Sequence, residues 1–164
     1  MPNYPEWLPA IISVDGEWDK VVERLYAIFL TDIKDGKPRL NSFPVWRDRR
    51  ILDGEKYEEG FWHLISKDYD DVKDRLPDFR RAERLPWCRA CIDNFSDASI
   101  VFWDYRVKKR IETYIWLKNH DYVVVLKKLN KRFGIVYFLL TAHYVEGEST
   151  RRKLLKKYEN RLKK

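Results

Sequence analysis

A chain of 164 residues, 45% hydrophobic and 15% aromatic with seven Trp and ten Tyr, carries enough apolar surface for one folded domain over 1–164; this excludes an intrinsically disordered segment. The net charge of +7 is unevenly placed: residues 1–100 are net −4 and residues 101–164 net +11, so the last third carries a positive field suited to polyanions, RNA first among them. The chain shows no basic-then-apolar leader and no apolar run near the roughly 20 residues that span a bilayer, so a cytoplasmic location and no membrane partner are expected.

From Trp18 the apolar positions Val21, Val22, Leu25, Ile28 and Phe29 recur at helical spacing behind an Asp15-Gly16-Glu17 start, which predicts an amphipathic helix of about four turns. "KDGKPRLNSFP" then breaks the pattern with Gly and two Pro. "VWRDRRILDGEKYEEGFWHLIS" reads as two short extended segments joined by a turn at Asp53-Gly54, and "KDYDDVKDR" as a solvated acidic loop. Residues 77–94 look helical, with Pro86 kinking or dividing them. Within that helix Cys88 and Cys91 form a single C-x-x-C with no second pair or nearby His, and read as two thiols rather than a zinc site.

Four segments rich in β-branched and aromatic residues follow, "SIVFWDYRVK", "RIETYIWLK", "DYVVVLKKL" and "FGIVYFLLTAHYV", with breaks short enough for an antiparallel four-stranded meander. In "STRRKLLKKYENRLKK" the stripe Leu154, Leu155, Tyr158 and Leu162 sits amid eight basic residues, as in a terminal helix docked by one face. The predicted fold is α+β: an N-terminal helix and a kinked middle helix packed on an antiparallel sheet of about four to six strands, with a basic C-terminal helix.

Alternation along a strand separates two faces. In the last strand Val136, Phe138, Leu140, Ala142 and Tyr144 form an apolar set, which leaves Tyr137, Thr141 and His143 on the other side. The same count puts Val101, Trp103, Tyr105 and Val107 in the core, opposite Asp104, Arg106 and Lys108; in the next strand Ile111, Thr113 and Ile115 leave Arg110, Glu112, Tyr114 and Trp116. His63 lies in the apolar run "EGFWHLIS", where a core histidine bonded to a carbonyl and a proton-transfer group are both open, and Trp62 beside it suits either a core or a base-stacking role. Arg80, Arg81 and Arg84 either grip phosphate or pair with Asp78 and Glu83, and His120 reads as a turn residue.

Imidazole, guanidinium, hydroxyl and phenol are the groups that cleave a phosphodiester without metal: a base deprotonates the 2′-hydroxyl, cations or donors stabilise the crowded phosphate, and an acid protonates the leaving oxygen. No G-x-x-x-x-G-K-[ST], G-x-S-x-G or G-x-G-x-x-G occurs, so P-loop, serine-hydrolase and dinucleotide chemistry are not supported, and Asp68, Asp70, Asp71 and Asp74 read as solvated rather than metal-ligating. Neither a metal nor a cofactor is expected.

The segments "EGFWHLIS", "FRRAERLPW", "DYVVVLKK" and "YFLLTAHYVEGESTRRKLLKKYE" resemble the phage-associated nuclease-like family of the barnase, EndoU, colicin and RelE-like RNase superfamily, in layout over about residues 16–160. The resemblance implies a helical part before a small antiparallel sheet whose concave face cuts RNA, in a phage, prophage or toxin setting with an inhibitor or host protein as a further partner. By that likeness His63 is the general acid/base, Thr141 a phosphate- or base-positioning hydroxyl and Arg81 or Arg84 a phosphate-binding cation, while His143 stands where Tyr or Phe is commoner. Together with the strand faces this gives His63, Thr141 and His143 as catalytic candidates and Arg81, Arg84, Arg106, Lys108 and Tyr137 as substrate-binding ones. A catalytically inactive module binding RNA or an acidic protein through the same basic surface is the alternative.

Overall fold

The computed structural model describes residues 3–69 and 72–163, and for 68, 69 and 72–75 the backbone alone. The first helix, α1 (Trp18–Phe29), buries Val21, Val22, Leu25 and Phe29, and a π-helical turn over Leu30–Lys34 carries Ile33 into the same core. Two short strands follow, β1 (Arg39–Leu40) and β2 (Phe43–Trp46), and then α2 (Glu59–Ile65). β3 (Ser66–Tyr69) and β4 (Val72–Pro77) form a separate two-stranded ladder. Helices α3 (Phe79–Glu83) and α4 (Leu85–Asp93) divide at Arg84, with Pro86 in the first turn of α4, where its missing N–H costs no helical hydrogen bond. The meander β5 (Val101–Val107), β6 (Arg110–Leu117), β7 (Tyr122–Lys131) and β8 (Gly134–Tyr144) leads into α5 (Gly147–Glu159).

The main sheet runs β1-β2-β8-β7-β6-β5, antiparallel except that β2 lies parallel to β8. The α+β class and the meander follow the sequence pattern. The stretch "EGFWHLI", expected as a strand, is helical instead. Its apolar run buries Phe61, Leu64 and Ile65 together, positions that three- and four-residue spacing gathers on one helix side. The segment expected as an acidic loop pairs through Ser66–Pro77, Lys67–Leu76 and Tyr69–Val72. Asp70 and Asp71, and the side chains of Asp68 and Asp74, lie outside the described part.

Both faces of the sheet are apolar, which strand alternation alone did not reveal. One face packs against α1, α2 and α4 through Ile115, Leu117, Tyr122, Val124, Leu126, Tyr137, Leu139 and Ala142. The other gathers Trp103, Tyr114, Trp116, Val123 and Val125 under Leu154, Leu155 and Tyr158 of α5. The register Trp103–Tyr114 and Asp104–Thr113 therefore places Trp103 beneath α5, opposite the face occupied by Thr113. Along β8 the expected alternation fails at Leu140: Leu126 pairs with Leu139 and Val125 with Thr141, so Leu140 is an extra, bulged residue. Tyr137 and Ala142 consequently face the helix-packed core, whereas Thr141 and His143, opposite Val125 and Val123, share the α5 face with Phe138 and Leu140.

Gly60 sets the position of α2. Its N–H donates to the Asp48 carbonyl at 2.9 Å, and a Cβ at this position would sit 2.9 Å from that oxygen and 3.3 Å from Arg47 Cβ. Gly60→Ala must push α2 off the segment 47–50; urea unfolding is expected to show a loss of about 1–3 kcal/mol, the usual cost of overpacking a close contact.

Candidate functional site

The C-terminal end of α2 needs partners for its last carbonyls. The Trp62 carbonyl accepts from the Ser66 hydroxyl at 2.6 Å and the Ile65 carbonyl from the Asp78 N–H at 3.0 Å. The His63 carbonyl accepts from Arg81 Nη1 at 3.0 Å and from Thr141 Oγ1 at 3.1 Å. The same Arg81 nitrogen donates to the Ser66 carbonyl at 2.9 Å and lies 3.3 Å from Thr141 Oγ1, while its Nε is 3.2 Å from Asp78 Oδ2. Asp78 in turn caps α3 by accepting from the Arg81 N–H at 3.1 Å. One guanidinium thus ties α2, α3, β3 and β8 together.

Around this node opens a cleft of about 190 Å³ lined by His63, Ser66, Arg81, Leu140 and Thr141. Three of the sequence candidates, His63, Arg81 and Thr141, meet there from three different elements. His143 stands two residues beyond Thr141 on the same sheet face. Its Nδ1–H donates to the Tyr144 carbonyl at 3.0 Å, which leaves Nε2 as the acceptor nitrogen. Burial lowers its pKa below the ordinary imidazole value; the Tyr144 carbonyl opposes that shift, Arg81 and Lys67 add to it and Asp78 works against it. The neutral form of His143 is therefore favoured, with the lone pair on Nε2.

The remaining candidates lie elsewhere. Arg84 is only 8% exposed: it pairs with Glu83 at 2.5 Å and stacks over Trp87 and Tyr144, at 5.2 and 4.6 Å from their ring centroids. Arg106 and Lys108 are exposed at the turn end of the β5–β6 hairpin, on the opposite edge strand of the sheet. Tyr137 lines a larger cavity of about 620 Å³ on the helix-packed face, together with Asp104 and Lys128. There Asp104 accepts from Thr113 Oγ1 at 2.6 Å and Lys128 Nζ at 3.1 Å, and burial, with Asp104 nearby, pushes the Tyr137 phenol up to about 12. His120 stacks on Tyr4, and Cys88 and Cys91 are buried free thiols raised in pKa by desolvation.

Sequence reasoning did not single out Ser66 or Lys67. A serine directly after an apolar run is a signal for a helix end, but it is visible only once "EGFWHLI" is read at helical spacing. Among the described residues no group of three or more His, Cys, Asp or Glu side chains is arranged to hold a metal ion. Comparison of the chain with protein-family models, with curated proteins and with solved structures gives no match in any of the three.

Two measurements probe this geometry. Thr141→Val removes one donor to the His63 carbonyl and is expected to lower stability by about 1 kcal/mol, with Thr141→Ser restoring it. For His143 the lowered folded pKa means that below the ordinary imidazole value the unfolded chain binds a proton the folded chain does not. Its contribution to stability is thus complete above about pH 6.5 and declines as pH falls toward the folded value. NMR titration should place the His143 midpoint below 6.5, and His143→Gln should flatten the stability profile in that range.

Proposed function

We propose that the protein is a metal-independent endoribonuclease acting by acid/base transesterification at the cleft between α2, α3 and β8. The observation that carries this reading is the meeting of His63, Arg81 and Thr141 at one open cleft, with His143 two residues further along the same face of β8. In the proposed step His143 Nε2 takes the proton of a ribose 2′-hydroxyl, whose oxygen attacks the adjacent phosphorus. His63 protonates the departing 5′-oxygen as the P–O5′ bond breaks, leaving a 2′,3′-cyclic phosphate and a 5′-hydroxyl. Arg81 and Lys67 supply the positive field for the crowded phosphate, while Arg81 Nη1 also holds the His63 and Ser66 carbonyls. Thr141, through its hydrogen bond to the His63 carbonyl, is a positioning residue.

The reading is supported by the +11 net charge of residues 101–164 and by the likeness of the quoted segments to the phage-associated nuclease-like family, whose cytoplasmic toxin role it would share. A second reading rests on the hydrogen bonds themselves. Because Arg81 and Thr141 already serve the His63 carbonyl, the same surface suits an RNA-binding module that does not cleave.

Incubation with total RNA in EDTA separates the two. The wild type should release 2′,3′-cyclic ends, and His63→Ala and His143→Ala should each lower the rate by about 10²–10⁴-fold. The rate should fall on the acid side as His143 becomes protonated, below about pH 6.5. Equal cleavage by wild type and both variants ends the acid/base assignment, whereas salt-sensitive binding without cleavage by any preparation selects the binding module.

A further inference from the structure

On the α5 face of the sheet, beside the cleft but at the β2 edge, lies a surface that the cleft chemistry does not use. Trp46 and Phe138 are register partners across the β2–β8 pair, and Phe133, in the turn before β8, packs against Trp46 with ring centroids 6.1 Å apart. Trp46 is 40% exposed and Phe133 70%, far more than packing requires of rings this large. Cations lie over two of the rings: Lys131 Nζ is 5.8 Å from the Trp46 centroid and Lys127 Nζ 5.6 Å from that of Phe138. A cavity of about 450 Å³ opens between Trp46, Phe138 and the segment 47–50. Within that segment Arg47 is drawn in against Glu58, whereas Arg49 and Arg50, the latter paired with Asp48, are exposed to solvent.

Exposed rings interleaved with cations match a polymer that is at once anionic and aromatic, with its ring faces accessible. An acidic peptide would use the cations and leave the rings idle, and a duplex hides its base faces in the stack. The surface is continuous with the cleft, because Phe138 and Leu140 follow one another on the same face of β8 and Leu140 lines the cleft with His63.

We propose that Trp46, Phe133 and Phe138, with Lys127, Lys131 and Arg49, form a stacking platform that selects single-stranded RNA and leads it into the His63 cleft. The proposal rests on the reading of that cleft as an RNA site, in either its cleaving or its binding form. It is tested by fluorescence anisotropy with a labelled 2′-O-methyl oligonucleotide, which binds but cannot transesterify, offered as a single strand and as a duplex. The single strand should bind more tightly than the duplex. Trp46→Ala and Phe133→Ala should each weaken it about tenfold, the usual worth of a base-stacking ring. Lys131→Gln, which spares the rings, should reduce the salt slope by about one.

Unchanged affinity in both ring variants, a preference for the duplex, or displacement by poly-glutamate at equal charge concentration overturns the platform, the last in favour of an acidic protein partner. Ring-dependent binding together with no cleavage of ordinary RNA removes the acid/base reading and leaves the platform standing. Cleavage with unaltered KM in both ring variants does the reverse.

Discussion

The Arg81 guanidinium is the interaction on which the arrangement of the site depends. A seven-residue helix has almost no stability of its own, and the carbonyls at its C-terminal end are costly to bury without donors. Arg81 meets that need at the His63 carbonyl, extends the same hydrogen-bonding reach to Ser66, and is held in place by Asp78. Thr141 completes the set from the sheet. Of these contacts only the Asp78–Arg81 pair is local to one helix; the others join α2, α3, β3 and β8 and form only when those elements pack. The orientation of His63 is thereby tied to the packing of the helices on the sheet.

The sheet itself is covered unequally. Its helix-packed face holds the main core, while α5 covers the β5–β6 side of the other face through Leu154, Leu155 and Tyr158. Basic residues on α5 are partly consumed in this docking: Arg151 pairs with Asp121, and Lys157 donates to the Tyr114 hydroxyl at 3.0 Å while lying over the Tyr105 and Tyr114 rings. The +11 net charge of the last third is therefore a mixture of structural cations and solvent-facing ones. Arg152, Lys153 and Lys156 belong to the second kind. Toward β8 and β2 the same face opens into the His63 cleft and the aromatic surface around Trp46, so cover at one end leaves the other end open.

The two imidazoles are placed differently. His63 is carried at the end of a short helix that lines an open cleft, whereas His143 is a strand residue whose Nδ1 is fixed by the neighbouring carbonyl and whose charged form is disfavoured by burial and by nearby cations. Both are half-buried, and of the two only His63 lines the cleft. The 620 Å³ cavity at Tyr137 is separate in face and in chemistry, since its carboxylate is already matched by Thr113 and Lys128.

Much of this was legible in the order of residues. The α1 stripe, the break at Pro86, the four β-rich segments and the basic terminal helix depend on periodicity and turn chemistry that act over a few residues, and they folded as read, except that α5 ends at Glu159 and leaves Leu162, expected in its docked stripe, exposed beyond it. The grouping of Thr141 with His143 also followed from alternation, since both lie beyond the bulge and keep their relative phase. Tyr137 lies before it, so the single inserted residue Leu140 separated it from them; a bulge is a property of the pairing with β7, which β8 alone does not encode. "EGFWHLI" was ambiguous for a related reason, because a short apolar run fits a helix or a strand until its neighbours are known. Local sequence thus determined which elements form and which chemical groups they carry. Only the tertiary structure decided which of those groups meet, because Arg81, the bulge and the α5 cover bring together residues distant along the chain.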